Sequence, residues 1–188
     1  NLGDYLLDNE QINDIQIDGA NRLWVGTANS GIFLLEPTME DVANPEYYVE
    51  TVAHFTTENS ILPSNDIMSI AIQRSTGEVF IGTGGGLVSY MSDASEPSNN
   101  FKQLEVYPNP VRPDYGGHIT FKGLMEHTEL RIIDASGCVV CVLESQGGTA
   151  TWDGKNEQGR RVASGVYTAI CNTKNGQAHG TVKVLIMN

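Results

Sequence analysis

Short apolar segments recur with an almost constant spacing along residues 1–90 of the chain. The alternating segment Ile12–Ile17 has a counterpart in Ile67–Ile72, 55 positions later, and Arg22–Thr27 has a counterpart in Glu78–Thr83, 56 positions later. Self-similarity at a fixed period, built from short strand-like segments, is typical of propellers and solenoids. The first half of the chain is therefore predicted to be an all-β repeat.

Each copy of the repeat predicts three strands separated by turns. Polar turn residues follow the first strand of each copy, at Asp18–Asn21 and at Arg74–Gly77, and a glycine-containing turn follows the second strand. A fourth strand is predicted at Tyr47–Phe55 and completes the first copy. Since four antiparallel strands form one blade of a β-propeller, we predict a partial β-propeller of two four-stranded blades.

Both copies share an aromatic–apolar–Gly–Thr sequence in the predicted second strand. An aromatic side chain at this position can fill the space between neighbouring blades. The glycine lets backbones approach closely, and the threonine hydroxyl can form a local hydrogen bond. The six candidate propeller residues are Trp24, Gly26, Thr27, Phe80, Gly82 and Thr83.

This pattern resembles the propeller repeat of two-component regulators. The family pattern includes a Leu-Pro-Ser-Asn connector, which is present here as Leu62–Asn65. Two blades do not close a ring, and an open propeller exposes blade faces and strand edges. The chain begins at Asn1 without an apolar leader, so we expect a processed protein or a fragment, with residues 1–90 at the end of a longer propeller.

From residue 104 onward, apolar and polar residues alternate with the period of a β-strand. Leu130 and Ile132 are expected to share one strand face, as are Val139, Cys141 and Leu143. Turn signals lie at short intervals between these segments, and no helical period is present. The second half is therefore predicted to be a β-sandwich.

Charge also divides the chain into two halves. Residues 1–100 contain 2 basic and 15 acidic residues (2 − 15 = −13), and residues 101–188 contain 9 and 8 (9 − 8 = +1), which gives the net charge of −12. The polar segment 91–100 has little to bury and is predicted to be a linker. We therefore predict propeller blades and linker over residues 1–100 and the sandwich over residues 101–188.

The second half contains three sharper motifs. The two prolines of Tyr107–Pro110 fix φ and remove backbone donors, which indicates an entry or edge segment. Trp152–Gly154 begins a turn, and Gly159–Tyr167 is a bend that leads into a strand. The candidate partner-binding residues in these motifs are Tyr107, Pro108, Asn109, Pro110, Trp152, Asp153, Gly154, Arg160, Arg161, Gly165 and Tyr167.

These motifs, together with the ending Lys183–Ile186, resemble the C-terminal domain of the type IX (Por) secretion system. The resemblance covers about residues 104–188. The segment from Trp152 to Tyr167 is also similar to the immunoglobulin-like fold of a flagellar hook-capping protein. The resemblance implies an immunoglobulin-like β-sandwich that serves as a type IX sorting-type domain.

A regulator-type propeller followed by such a domain resembles a family of attachment proteins of type IX secretion. The resemblance implies an exported, non-enzymatic accessory in the periplasm or at the outer-membrane cell surface. The implied partners are the sortase PorU, the proteins PorV and PorQ, and an anionic lipopolysaccharide that Arg160 and Arg161 can contact. No cofactor is implied.

Two other functions are open on the sequence alone. The chain is alternatively an exported cargo protein whose sandwich is a sorting signal that is later removed. It is alternatively the ectodomain of a two-component sensor, because these propeller repeats also occur in membrane histidine kinases. Net acidity disfavours nucleic acid as a partner, and no apolar run approaches the roughly 20 residues of a membrane helix.

Other candidate chemistry is sparse. Cys138 and Cys141 form a C-x-x-C motif, but in a strand their side chains point to opposite faces, beyond disulfide reach. Cys141 and Cys171 could meet across the core as free thiols or as a disulfide. The histidines show no metal-ligand spacing, no nucleophile–base constellation is present, and the acids near Asp14 and Asp18 are expected to solvate the surface.

Overall fold

The structure, a computed structural model, describes residues 6–39, 47–174, 176 and 178–188. The described residues form β-strands and turns, with no helix. Contacts divide the chain into two compact units between Ser92 and Asp93. The all-β prediction is therefore confirmed.

The strands follow one another without interruption by other secondary structure. The first unit contains β1 (Ile12–Ile17), β2 (Leu23–Thr27), β3 (Ile32–Met39), β4 (Tyr47–Phe55), β5 (Ile67–Gln73), β6 (Glu78–Thr83) and β7 (Gly86–Met91). The second unit contains β8 (Glu105–Tyr107), β9 (Ile119–Lys122), β10 (Thr128–Ile133), β11 (Val139–Glu144), β12 (Thr149–Trp152), β13 (Gly165–Thr173) and β14 (His179–Ile186).

The first unit consists of two antiparallel sheets that repeat the same design. The first sheet has the order β1-β2-β3-β4 and the second has the order β5-β6-β7. A β-bulge interrupts the pairing of β1 with β2 between Ile12 and Asp14, and another interrupts β5 with β6 between Ile67 and Ser69. The bulges occupy corresponding repeat positions, so the repeat extends to backbone detail.

The two blades differ in strand number over the described residues. The predicted fourth strand of the first blade is present as β4, whereas β7 is followed by no fourth strand and is the last strand of the second sheet. The chain instead continues past Met91 to Ser92, at the division between the units. The expectation of two four-stranded blades is therefore met by the first blade alone.

A single apolar core lies between the two sheets of the first unit. Asp14 and Asn13 of β1 also bond to the neighbouring blade: Asp14 Oδ2 accepts the Ile70 N–H at 2.7 Å, and Asn13 Nδ2 donates to the Ile67 carbonyl at 2.8 Å. The buried members of the core are Trp24, Ile32, Leu34, Leu62, Ile67, Ile70, Val79 and Ile81.

The second unit is a sandwich of two antiparallel sheets. One has the order β11-β10-β13-β14 and the other has the order β12-β9-β8. Both sheets contribute to one core, in which Phe121, Trp152, Leu130 and Ile132 are fully buried. The specific immunoglobulin-like topology stays a prediction.

Two details of the second unit differ from the sequence pattern. Val139 is 51% exposed, because a bulge in the β10–β11 pairing pairs it with Ile133 instead of continuing the face of Cys141. Ala94 and Ser95 are buried, although the segment 91–100 was expected to bury little. Ser95 Oγ and Thr149 Oγ1 share a hydrogen bond of 2.5 Å within this unit.

Candidate functional site

The aromatic–apolar–Gly–Thr sequence of the first blade forms part of the packing between blades. Trp24 is fully buried and stacks on Phe55, with ring centroids 6.0 Å apart and an interplanar angle of 3°. A Cβ atom on Gly26 would lie 2.6 Å from Ile67 Cγ2 in the second blade. A side chain at position 26 would therefore collide with Ile67 of the second blade, so glycine fits here.

The same sequence in the second blade occupies a different environment. Phe80 is 37% exposed, whereas its counterpart Trp24 is fully buried, because no further blade covers this face among the described residues. A Cβ atom on Gly82 would meet Ser69 Oγ at 2.6 Å. Phe80 does not fill a space between blades here, in contrast to the sequence expectation.

The threonines of both copies form the expected local hydrogen bond. Thr27 Oγ1 donates to the Gly31 carbonyl at 2.8 Å, and Thr83 Oγ1 donates to the Gly86 carbonyl at 2.8 Å. The same hydroxyl oxygen also accepts a backbone N–H, from Ser30 in the first copy. Each threonine therefore fixes the turn that leads to the third strand.

A buried ion pair in the first blade was missed by the sequence analysis. Asp18 and Arg22 are 1% and 2% exposed, and Arg22 Nε donates to Asp18 Oδ2 at 2.9 Å. Trp24 Nε1 donates to the same oxygen at 3.2 Å, and Arg22 Nη2 donates to Ser92 Oγ at 3.0 Å. Asp18 is thus a structural group, not a solvated surface acid.

The Tyr107–Pro110 motif covers the edge of β14 in the sandwich through the side chain of Asn109. Asn109 Nδ2 donates to the Lys183 carbonyl at 2.9 Å, and Asn109 Oδ1 accepts the Leu185 N–H at 3.0 Å. Val111 continues this pattern by pairing with Ile186 in a parallel bridge. The amide side chain therefore takes the place of a neighbouring strand along β14.

We expect Asn109→Ala to lower the free energy of unfolding of the sandwich by about 1–3 kcal/mol, because two hydrogen bonds to β14 are lost. Chemical denaturation followed by Trp152 fluorescence measures the change. Asn99→Ala, which replaces an exposed asparagine of the same unit, serves as the control. Equal stability of the two variants would contradict a stabilising role for the Asn109 hydrogen bonds at the edge of β14.

Tyr107, Pro108 and Pro110 occupy the same segment. Tyr107 is the last residue of β8 and is 44% exposed, with Lys122 Nζ 5.3 Å from its ring centroid. Both X–Pro bonds of the motif are cis. Tyr107 and Pro110 are exposed, whereas Pro108 is half-buried.

Trp152 and Tyr167 belong to the core of the sandwich. They are 1% and 7% exposed, and their rings meet edge to face with centroids 5.7 Å apart. Trp152 Nε1 donates to the Lys155 carbonyl at 2.8 Å, and Tyr167 Oη donates to the Ala163 carbonyl at 2.9 Å. Each polar group is satisfied within the unit, so both residues position the adjoining hairpin.

The hairpin that follows Trp152 contains five exposed charged residues: Asp153, Lys155, Glu157, Arg160 and Arg161. Gly154 has φ +75°, and Lys155 pairs with Arg161 in an isolated bridge. Burial opposes ionisation of Asp153, but hydrogen bonds and the charge of Lys155, 3.1 Å away, lower the pKa of its carboxyl below the ordinary value. Asp153 therefore stays ionised and holds Lys155 in place.

The two adjacent arginines have different surroundings. Arg161 Nε donates to Asn188 Oδ1 at 3.2 Å, and the Asn188 side chain donates in turn to the Val162 carbonyl at 2.8 Å. The Arg160 N–H donates to Asn156 Oδ1 at 3.0 Å, while the residue is exposed. Gly165 opens β13 opposite Ile186. Of the sequence candidates, Arg160 and Arg161 are the cations that the fold displays.

The three cysteines are free thiols. Cys138 is exposed, whereas Cys141 and Cys171 are buried on strands separated by β10. Burial raises the pKa of Cys141 to about 11, with a smaller contribution from Asp153, and raises the pKa of Cys171 to about 12. Both buried groups are therefore protonated and unreactive near neutral pH.

We expect a thiol reagent at pH 8 to modify Cys138 alone in the folded chain and all three cysteines after denaturation. Mass spectrometry of the modified peptides measures the difference. Modification of Cys171 at the rate of Cys138 would contradict the burial of Cys171.

The raised folded-state pKa values of Cys141 and Cys171 also affect stability at high pH. Because these thiols ionise more readily in the unfolded chain, the free energy of unfolding is expected to fall as pH rises above about 9.

Neither a metal centre nor a membrane helix is found in the part of the chain that the structure describes. No group of three or more His, Cys, Asp and Glu side chains is placed to hold a metal ion there. The same residues include no helix that is long and apolar enough to span a membrane. The features that the fold presents are strand edges, sheet faces and a basic hairpin that exposes Arg160 and Arg161.

The fold and these surfaces define the class of protein: an all-β chain of propeller blades and a sandwich. Residues 6–29, which span the first two strands, match the family model named two component regulator propeller. No curated protein sequence matches the chain.

The chain is similar to a particular protein of known structure, PorZ of Porphyromonas gingivalis. That protein is described as an essential bacterial surface component of the type IX secretion system. The identity is 32% over 98% of this chain, with a TM-score of 0.61. The match covers 24% of the PorZ chain, so this chain spans about a quarter of the length of PorZ.

A second solved structure is more distant. It is the extracellular domain of a hybrid two-component system protein from B. thetaiotaomicron, with 14% identity. The match covers 100% of this chain and 27% of that chain, with a TM-score of 0.30.

Proposed function

We propose that the chain is a PorZ-like accessory of type IX protein secretion, which holds other molecules at the cell surface and catalyses no reaction. The observation that carries the proposal is the 32% identity to PorZ over 98% of the chain, because one alignment includes both the propeller blades and the sandwich. A match confined to the propeller repeat would fit many unrelated surface proteins. The protein is accordingly exported and acts in the periplasm or at the outer-membrane surface.

The proposed partners are the sortase PorU and the proteins PorV and PorQ, together with an anionic lipopolysaccharide. The basic hairpin supports the last of these, since Arg160 and Arg161 are exposed and adjacent, directly after the turn that ends at Gly159. Guanidinium groups bind phosphate and carboxylate groups through paired N–H donors. The sandwich is the sorting-type domain in this proposal, and it is retained.

Co-purification tests the protein partners. We expect the tagged 188-residue chain to retain PorU from solubilised outer membranes.

Co-sedimentation tests the binding of lipopolysaccharide. A chain with the charge reversals R160E and R161E is expected to lose lipopolysaccharide in this assay. The matched control reverses two other exposed bases of the same unit, K102E and R112E. Retention of neither PorU nor lipopolysaccharide by the unmodified chain would overturn the proposed function.

Mass spectrometry of the surface protein separates an accessory from a cargo. Residues after Ser92 are expected to remain attached in the mature protein. Their removal would instead identify the sandwich as a cleaved sorting signal. The intact mass and the most C-terminal tryptic peptide give the answer directly.

A further inference from the structure

We propose that residues 94–98 form a docked strap, which shields the chain between the two units from proteases. The sequence predicts a polar linker over residues 91–100, with little to bury. The structure instead holds residues 94–98 against two turns of the sandwich. The proposal goes beyond the proposed function, because it rests on contacts within the second unit and needs no particular partner.

Backbone hydrogen bonds tie the strap to the turns that follow β9 and β11. Gly148 N–H donates to the Ser95 carbonyl at 2.8 Å, and Ser95 also pairs with Gly147 in an isolated parallel bridge. Ser98 N–H donates to the Leu124 carbonyl at 2.7 Å. Leu124 N–H donates in turn to the Gly148 carbonyl at 3.0 Å, so the three segments are linked to one another. The strap therefore leaves the sandwich only if the bonds at both of its ends break.

Side-chain burial also holds the strap in place. Ala94 is 1% exposed and Ser95 is 4% exposed, although both belong to a segment of linker-like composition. Ser95 Oγ and Thr149 Oγ1 share their hydrogen bond in buried surroundings. Undocking would return the Ala94 methyl group to water and break the hydroxyl pair. Both changes oppose the release of the strap.

Gly148 allows the strap to approach the turn after β11 closely. A Cβ atom at this position would overlap the Glu96 carbonyl oxygen and would lie 3.0 Å from Ser95 Oγ. The three atoms nearest to the added Cβ all belong to the strap. Gly148 is also absent from the glycines with positive φ, so its own backbone conformation is open to other residues. Glycine at position 148 therefore serves the docking of the strap and not the shape of the turn.

The chain is also anchored on each side of the strap. Ser92, the last residue of the first unit, donates its N–H to the Gly77 carbonyl at 3.0 Å. Beyond the strap, Phe101 packs against the core of the sandwich. From residue 92 to residue 101, the longest exposed stretch is the pair Asn99 and Asn100. Proteases cut where the backbone is exposed and free of hydrogen bonds, and this junction offers no such stretch in the docked state.

Cleavage of the junction therefore requires the strap to undock first. A segment that opens locally is accessible to a protease only for the fraction of time that it is open, and the cleavage rate follows that fraction. The contacts of the strap with Gly148, Thr149 and Leu124 set this fraction. The docked strap thus preserves the covalent connection between the propeller blades and the sandwich, and its release would expose the junction.

Limited proteolysis of the 188-residue chain with a broad-specificity protease tests the proposal. Gly148→Ala is expected to raise the rate of cleavage within residues 93–100 at least about tenfold, because the added methyl group overlaps the Glu96 carbonyl oxygen. Gly116→Ala is the matched control, since Gly116 is exposed and nothing lies within 4 Å of the added atom. The control is expected to leave the rate unchanged. Mass spectrometry of the fragments locates each cut.

Residue-resolved hydrogen exchange separates undocking of the strap from loss of the sandwich fold. In the unmodified chain, the amides of Gly148 and Ser98 are expected to exchange slowly, because each donates to a carbonyl across the strap. In the Gly148→Ala chain, the Ser98 amide is expected to exchange faster while the paired amides of β10 and β13 stay protected. Fast exchange of Gly148 and Ser98 in the unmodified chain would overturn the proposal, even if the variant failed to fold. Equal cleavage of the unmodified and Gly148→Ala chains within residues 93–100 would also overturn it.

Discussion

Asp18→Ala is expected to lower the free energy of unfolding of the propeller unit by about 3–5 kcal/mol, because it removes the carboxylate that pairs with the buried Arg22 guanidinium. Asp18 Oδ1 also accepts the backbone N–H groups of Ala20 and Arg22, at 2.9 and 3.0 Å. The substitution therefore removes the organising group of the turn between β1 and β2 as well as the ion pair. Hydrogen exchange in increasing urea, read on peptides of each unit, measures the loss.

Two further variants separate the buried charge from general damage to the turn. Asp18→Ala combined with Arg22→Met removes both charges and is expected to recover part of the lost stability, since an apolar replacement of a buried pair is often tolerated. Glu58→Ala, at an exposed acid of the same unit, is expected to change stability by less than about 0.5 kcal/mol. A single Asp18→Ala variant as stable as Glu58→Ala would show that the pair contributes nothing.

The sequence predicted the elements well because they follow from local periodicity. The repeat spacing placed β1, β2, β5 and β6, and the alternation placed Leu130 and Ile132 on one face of β10, where both are buried. These predictions need only the two-residue period of a strand and the chemistry of turns. They do not require knowledge of which strands become neighbours.

The misses concern contacts that neither the two-residue period of a strand nor the chemistry of turns encodes. Asp18 resembles any surface acid until Arg22 and Trp24 are folded against it; a base four residues away in a segment with only two bases was the available signal. The exposure of Phe80 depends on which sheet follows the second blade. Asn109 bonds to the edge of β14 at residues about 75 positions away, which no local pattern encodes.

Corresponding glycines in the two blades offer a direct comparison of a third strand that pairs with a fourth, as β3 does, and a third strand without one among the described residues, as β7 is. Gly31→Ala is expected to destabilise the propeller unit by about 2–5 kcal/mol, because φ is +78° and a Cβ atom would overlap the Phe55 carbonyl oxygen of β4. Gly86→Ala is expected to cost only about 1–3 kcal/mol, since φ is +137° but nothing lies within 4 Å of the added atom. Urea titration with the same peptide-resolved exchange measures both.

The difference between these two variants isolates the contribution of the fourth strand. If Gly86→Ala were as damaging as Gly31→Ala, a backbone segment would already lie against Gly86, in conflict with the open space around it.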